Sequence, residues 1–150
     1  MTTPEKKVII PGSMKQKPAF TLTETLIIGA LFGVVIIVGS LLLSAERART
    51  RDAKRVADMI RLSAGFALLY SQKASYAAAA AGCPTVGADP TRCSLNQVVV
   101  GLGQIKDPGR FHYTISRVPD ATDFGVTFRL ERTYGTLLAG THTLSKSGIH

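Results

Sequence analysis

Leu26-Ile-Ile-Gly-Ala-Leu-Phe-Gly-Val-Val-Ile-Ile-Val-Gly-Ser-Leu-Leu-Leu43 is the stretch that decides the architecture. It runs 18 residues without a charge, which is the threshold for a helix that crosses a bilayer. Taken from Phe20 to Leu43 the segment has 24 residues. At about 1.5 Å per residue that is about 36 Å of helix, longer than a hydrocarbon layer of about 30 Å. Gly29, Gly33 and Gly39 suit such a helix, because small residues let neighbouring backbones approach closely in lipid. Gly29 and Gly33 form a G-x-x-x-G, a pattern that chance supplies readily in apolar helices.

Glu24 breaks the pattern. A carboxylate at the head of an apolar helix costs several kcal/mol if it enters lipid unpaired. Either it stays in water at the interface, or a cation partners it. Charge counting leaves the orientation open. Lys6, Lys7, Lys15 and Lys17 lie before the apolar run, and Arg47, Arg49, Arg51, Lys54 and Arg55 after it, so the positive-inside rule is nearly balanced. A secretory signal peptide is the natural competitor, but the run is long for one. Leu43-Ser44-Ala45 also puts a bulky residue where a small one is needed.

The whole chain has 150 residues, a formal charge of +8 and a mean hydropathy of +0.18. That is one modest domain plus an anchor. The basicity suits nucleic acid, anionic lipid or a solvated surface. Removing residues 1–19 takes away four lysines and one glutamate and lowers the charge to +5.

Lys15-Gln-Lys-Pro-Ala-Phe-Thr-Leu-Thr-Glu24, together with the uncharged run after it, resembles the processing motif of the type IV pilin and pseudopilin family. The segment from Ser44 to Met59, and its continuation through Leu68-Leu69-Tyr70 to Ser75-Tyr76, is similar to the region after the apolar run in those proteins. Phe128 to Glu131, with Leu138 to Leu144 and Gly148, resembles the end of certain small pilin-like chains. Ala19 stands where the family usually has Gly, Thr23 where Ile is more frequent, and the apolar helix lacks the proline many members carry. The resemblance implies cleavage between Ala19 and Phe20 by a prepilin peptidase and N-methylation of Phe20. It also implies an assembly role for Glu24 as partner of the Phe20 amino group on a neighbouring subunit. Further implied partners are the other copies in a homo-oligomeric filament, the pilus assembly platform and the membrane. The N-terminus is then cytoplasmic, the chain a single-pass protein of the cytoplasmic membrane before assembly, and the filament extracellular afterwards.

Four segments are expected: a leader (1–19), a membrane or filament-core helix (20–43), an amphipathic helix (44–82) and a globular β head with a cysteine loop (83–150). In the amphipathic segment Ala45, Ala48, Val56, Met59, Ile60, Ser63, Ala67 and Tyr70 recur at spacings of three and four. Arg47, Arg51, Lys54, Arg55 and Arg61 fill the other side, where lipid phosphates or water would meet them. Asp52 and Asp58 lie three or four positions from basic residues and can form ion pairs. Ala77 to Ala81 extends the helix or begins a loop, and Gly82-Cys83-Pro84 stops any helix.

Cys83 and Cys93 sit in a Pro- and Gly-containing loop, close enough to meet disulfide geometry. The alternative is two separate thiols, since pairing needs an oxidising compartment. A bridge would close a loop of roughly 11 residues, worth about 2.8 kcal/mol in the chain-entropy picture. Four zinc ligands are not at hand. Beyond the loop the period changes to two. Phe111, Tyr113 and Ile115 share one face, as do Phe124, Val126, Phe128 and Leu130, with Pro119 to Asp123 as a turn between them. A third strand is expected around His142 to Leu144. The fold class is therefore α+β, a long N-terminal helix with a small antiparallel sheet.

No phosphate loop, nucleophile elbow or ligand cluster is present, and His112, His142 and His150 are scattered. Neither an enzyme nor a cofactor or metal site is expected. The sequence points to a structural filament subunit, either a pilin or a pseudopilin of a secretion or DNA-uptake machine. The other class it permits is a membrane-anchored module binding DNA or an anionic surface.

Overall fold

The computed structural model describes residues 21–150. The cleavage and methylation positions, Ala19 and Phe20, lie outside the described residues. One helix, α1 (Leu22–Lys73), precedes four strands: β1 (Thr114–Arg117), β2 (Gly125–Leu130), β3 (Gly140–Ser145) and β4 (Gly148–Ile149). This is the α+β arrangement that the patterning predicts. The chain divides into two compact units between Gly39 and Ser40.

In the first unit α1 begins with a capping pattern. The Glu24 backbone N–H donates to Thr21 Oγ1 at 3.3 Å, so a threonine caps the helix and an acid sits three residues on, beside the positive end of the dipole. The large apolar side chains of the next turns are exposed, Phe32 at 66% and Val35 at 67%. A Cβ placed on Gly29, Gly33 or Gly39 would meet open space. By length and composition this part of α1 is a candidate membrane span.

In the second unit the buried face of α1 is Ala48, Asp52, Arg55, Met59, Leu62, Phe66 and Leu69, spaced by four and three throughout. Asp58 and Gly65 are buried beside it. This stripe is rotated from the expected one. Ile60 and Tyr70 are exposed, and Arg55, expected on the solvated side, is completely buried. The reason is electrostatic: carboxylates from distant parts of the chain, Asp107 and Glu131, make burial of the guanidinium tolerable. Gly65 lets the 95–100 loop approach, because a Cβ there would lie 2.1 Å from Val99 Cγ2.

α1 stops at Lys73, short of residue 82. Ala74 turns left-handed (φ 49°) while its N–H still reaches Tyr70 O at 2.7 Å, a helix ending that glycine usually supplies. The alanine tract forms a separate 3₁₀ turn, Ala77–Ala80, with Ala79 buried. Gly82 has φ 92°, and a Cβ on it would lie 2.2 Å from Arg92 O. No side chain fits where the two ends of the cysteine loop pass. Cys83 and Cys93 are joined by a disulfide with Cα atoms 4.8 Å apart, and both are buried.

The sheet is an antiparallel meander in the order β1-β2-β3-β4. Phe124 and, within β2, Val126, Phe128 and Leu130 all face inward, whereas Arg129 faces out. The period-two reading holds there. Phe66 of α1 stacks on Phe124 at 3.8 Å between ring centres, and Tyr76 meets Phe124 edge-on at 5.0 Å. Each such ring removed from water is worth roughly 1.5–3 kcal/mol. The turn before β2 is built by Asp120, whose Oδ1 accepts the N–H groups of Thr122 and Asp123 at 2.7 and 2.9 Å. The first strand starts at Thr114 rather than Phe111, which leaves Phe111 outside the sheet.

Candidate functional site

Within the head, charge is concentrated at Arg55. Its Nε and Nη2 grip Asp107 at 2.6 and 3.0 Å, and its Nη1 reaches both Asp52 and Glu131 at 2.7 Å. Arg51 grips Glu131 from the other side at 2.7 and 2.5 Å. Asp52 also accepts the backbone N–H groups of Glu131 and Arg132 at 2.9 and 2.8 Å. One turn on, Asp58 accepts from Lys54 at 2.6 Å and from the Tyr113 hydroxyl at 3.1 Å. The cluster ties α1 to the 107–109 loop and to the end of β2.

Burial works against the Arg55 charge, but the hydrogen bonds to Asp107, Glu131 and Asp52 outweigh it and hold the pKa above the ordinary value. Burial likewise pushes Asp107 up, and the bonds from Arg55 and the Gly109 N–H pull it further down. Glu131 falls from 4.5 to about 2, chiefly through its bond to Arg51, against some opposing burial and with help from Arg55. Burial, then the Asp58 charge, raises the Tyr113 phenol. Arg55, Asp107, Glu131 and Tyr113 are thus all held away from neutral pH. They form a fixed clamp of paired charges.

The depressed carboxylates stabilise the fold fully above the unfolded value near 4.5, and that stabilisation is lost as pH falls toward 2. For Glu131 it amounts to at most about 3 kcal/mol, because the side chain is 25% exposed and solvent screens its pairing with Arg51. Denaturant titrations of the detergent-solubilised chain should show a fall in stability between neutral pH and pH ~3. Glu131→Gln should flatten that fall; an equally steep profile in the variant would remove Glu131 from the account.

Glu24, the assembly residue implied by the resemblance, lies exposed in the first turn of α1. Its described contact is the Thr21 cap. No protein-family model, curated protein or solved structure matches this chain. The three histidines are not brought together: His112 and His150 are exposed, and His142 in β3 is half-buried with Nε2 2.7 Å from Leu138 O.

One grouping is not legible as a linear pattern. The Phe111 ring gathers three guanidinium groups, those of Arg55, Arg129 and Arg110, at 5.0, 5.2 and 5.9 Å from its centre. Arg55 approaches from the buried clamp, while Arg110 and Arg129 are exposed. The adjacent Arg110-Phe111 pair and the outward position of Arg129 in an alternating strand are the signals the sequence offers for it.

Proposed function

We propose that this chain is a structural subunit of a type IV pilus or related pilus-like filament, cut between Ala19 and Phe20, methylated at Phe20 and held in the filament by its N-terminal helix. The observation that carries this reading is an apolar helix with exposed side chains, headed by Glu24 at the fifth position after the Ala19/Phe20 junction. An isolated span gains from lipid on all sides; a bundle of such helices gains from close packing at Gly29 and Gly33. A buried carboxylate costs less beside a neighbour's amino group than by itself, and the pairing would set subunit register. The partners are other copies of the chain, a prepilin peptidase that also methylates, and an assembly platform in the cytoplasmic membrane. On this reading the protein performs no catalysis of its own, and its head faces outward on the cell surface.

The test is intact mass and N-terminal sequencing of the protein from its native cells. The expected mature chain lacks residues 1–19 and begins at N-methylated Phe20. A chain that keeps Met1 to Ala19 beside an active prepilin peptidase, or one that starts near Glu46, would overturn the proposal.

A further inference from the structure

Residues 40–150 hold fourteen Lys and Arg against eight Asp and Glu, a formal +6. The acids are largely spoken for. Asp52, Asp58, Asp107 and Glu131 belong to the clamp, Asp120 and Asp123 pair with Arg117, and Asp89 caps the turn at Thr91. Arg49, Arg110, Arg129 and Arg132 are exposed, and among the described residues none of them forms an ion pair.

These four arginines line three clefts in the head. Arg110, Phe111, Arg129 and Gly140 border one of about 400 Å³. A second, about 350 Å³, shares Arg110 and Glu131 with it and adds Arg51 and Gly109. Arg49, Arg132 and half-buried Tyr134 line a third of about 490 Å³, next to Glu131 along the chain. The one carboxylate amid them, Glu131, is already neutralised by Arg51 and Arg55. Glu46, three residues before Arg49 on α1, and Asp89 are the acids of this unit in no ion pair among the described residues, and neither borders the clefts at Arg110 and Arg129, so the field over those clefts is positive.

The chemistry of the lining narrows the ligand. Arginine forks fit phosphate oxygens two at a time. Arg110 and Arg129 rest against the Phe111 ring, so less side-chain freedom is lost when they bind. Guanidinium planes and a tyrosine ring are surfaces on which unpaired bases stack. A lipid headgroup offers phosphate but no planar base, and a duplex keeps its base faces covered.

We propose that the clefts built on Arg110, Phe111 and Arg129, together with the cleft at Arg49, Arg132 and Tyr134, bind single-stranded nucleic acid through its phosphates, with bases stacked on the arginine and aromatic planes. This binding is a property of the head and is independent of the filament reading, because it is measured on the unassembled subunit.

The experiment uses the full chain in neutral detergent micelles and a fluorescein-labelled oligothymidylate of about 20 nucleotides, monitored by anisotropy across a salt series. Arg110→Ala with Arg129→Ala should weaken binding at least about 10-fold and reduce the salt slope by about 1.4, two contacts at about 0.7 each. Lys73→Ala with Lys146→Ala removes the same charge outside the clefts and should change affinity less than about 2-fold. Phe111→Leu leaves the charge intact and should weaken binding about 5-fold, with an unchanged circular dichroism spectrum. The proposal is overturned by absent binding at low salt, or by equal losses in the two double variants. It is also overturned if phosphatidylglycerol doped into the micelles, compared with phosphatidylcholine, displaces the labelled oligonucleotide as effectively as unlabelled oligonucleotide does at equal phosphate.

Discussion

Replacing Arg55 by alanine is expected to destabilise the head by about 3–5 kcal/mol. The guanidinium is fully buried and carries hydrogen bonds to Asp107, Asp52 and Glu131. Its removal leaves Asp52 and Asp107 ionised in a dry site with only backbone donors remaining to them, chiefly the N–H groups of Glu131, Arg132 and Gly109. Arg117→Ala provides the contrast. Its partners Asp120 and Asp123 are reached from a side chain that is 53% exposed, and such pairs are worth at most about 1 kcal/mol. Arg55→Met separates packing from charge: it restores most of the volume, and it should remain nearly as damaging because the carboxylates stay. Denaturant titration of the oxidised, solubilised chain measures all three variants. A cost below about 1 kcal/mol for Arg55→Ala would mean that water or other groups satisfy these acids, and the clamp would lose its energetic meaning.

Glu24→Ala is expected to leave membrane insertion intact and to cut the yield of sheared filaments more than about 10-fold. The helix itself loses little. Thr21 still caps it, since the contact runs from the backbone N–H of residue 24, and the lost charge–dipole term is about 0.3–1 kcal/mol. Insertion becomes easier, because a carboxylate near lipid is removed. Assembly loses the anion that the proposed pairing with the Phe20 amino group needs, and the loss recurs at every subunit. Glu24→Gln keeps the size and loses the charge, and should fail in the same way. Membrane fractionation beside an immunoblot of the sheared fraction reads both halves of the prediction. Normal filament yield from Glu24→Ala would eliminate the pairing and leave residue 24 as an ordinary first-turn position.

The parts legible in the sequence are those governed by local rules. Length and uncharged composition mark the apolar part of α1, and strict alternation from Phe124 to Leu130 marks the inward face of β2. Both depend on neighbours in the chain. The face of the second half of α1 escapes an apolar pattern because Asp52 and Arg55 occupy the buried stripe, and a search for apolar residues passes over them. Their partners, Asp107 and Glu131, lie 52 and 76 or more positions away from Arg55 and Asp52, beyond the reach of any helical period. Alternation alone places Phe111 in a strand, but its contacts with Arg55, Arg110 and Arg129 keep it outside the sheet as a support for charge. The alanine tract reads either way, since nothing in five alanines announces the left-handed turn at Ala74.

The clamp at Arg55 also sets a timetable for making the protein. Its cation and one acid, Asp52, lie in the first half of the chain, and the other two acids arrive at positions 107 and 131. Until Asp107 and Glu131 have been synthesised and delivered, Asp52 is the one clamp acid that the helix itself offers Arg55, and a single pair does not repay burial of the guanidinium. A chain released early would keep Arg55 hydrated and the surrounding apolar face open, which is the condition that cellular proteases read. The buried pairing is complete only when the last third of the polypeptide is in place.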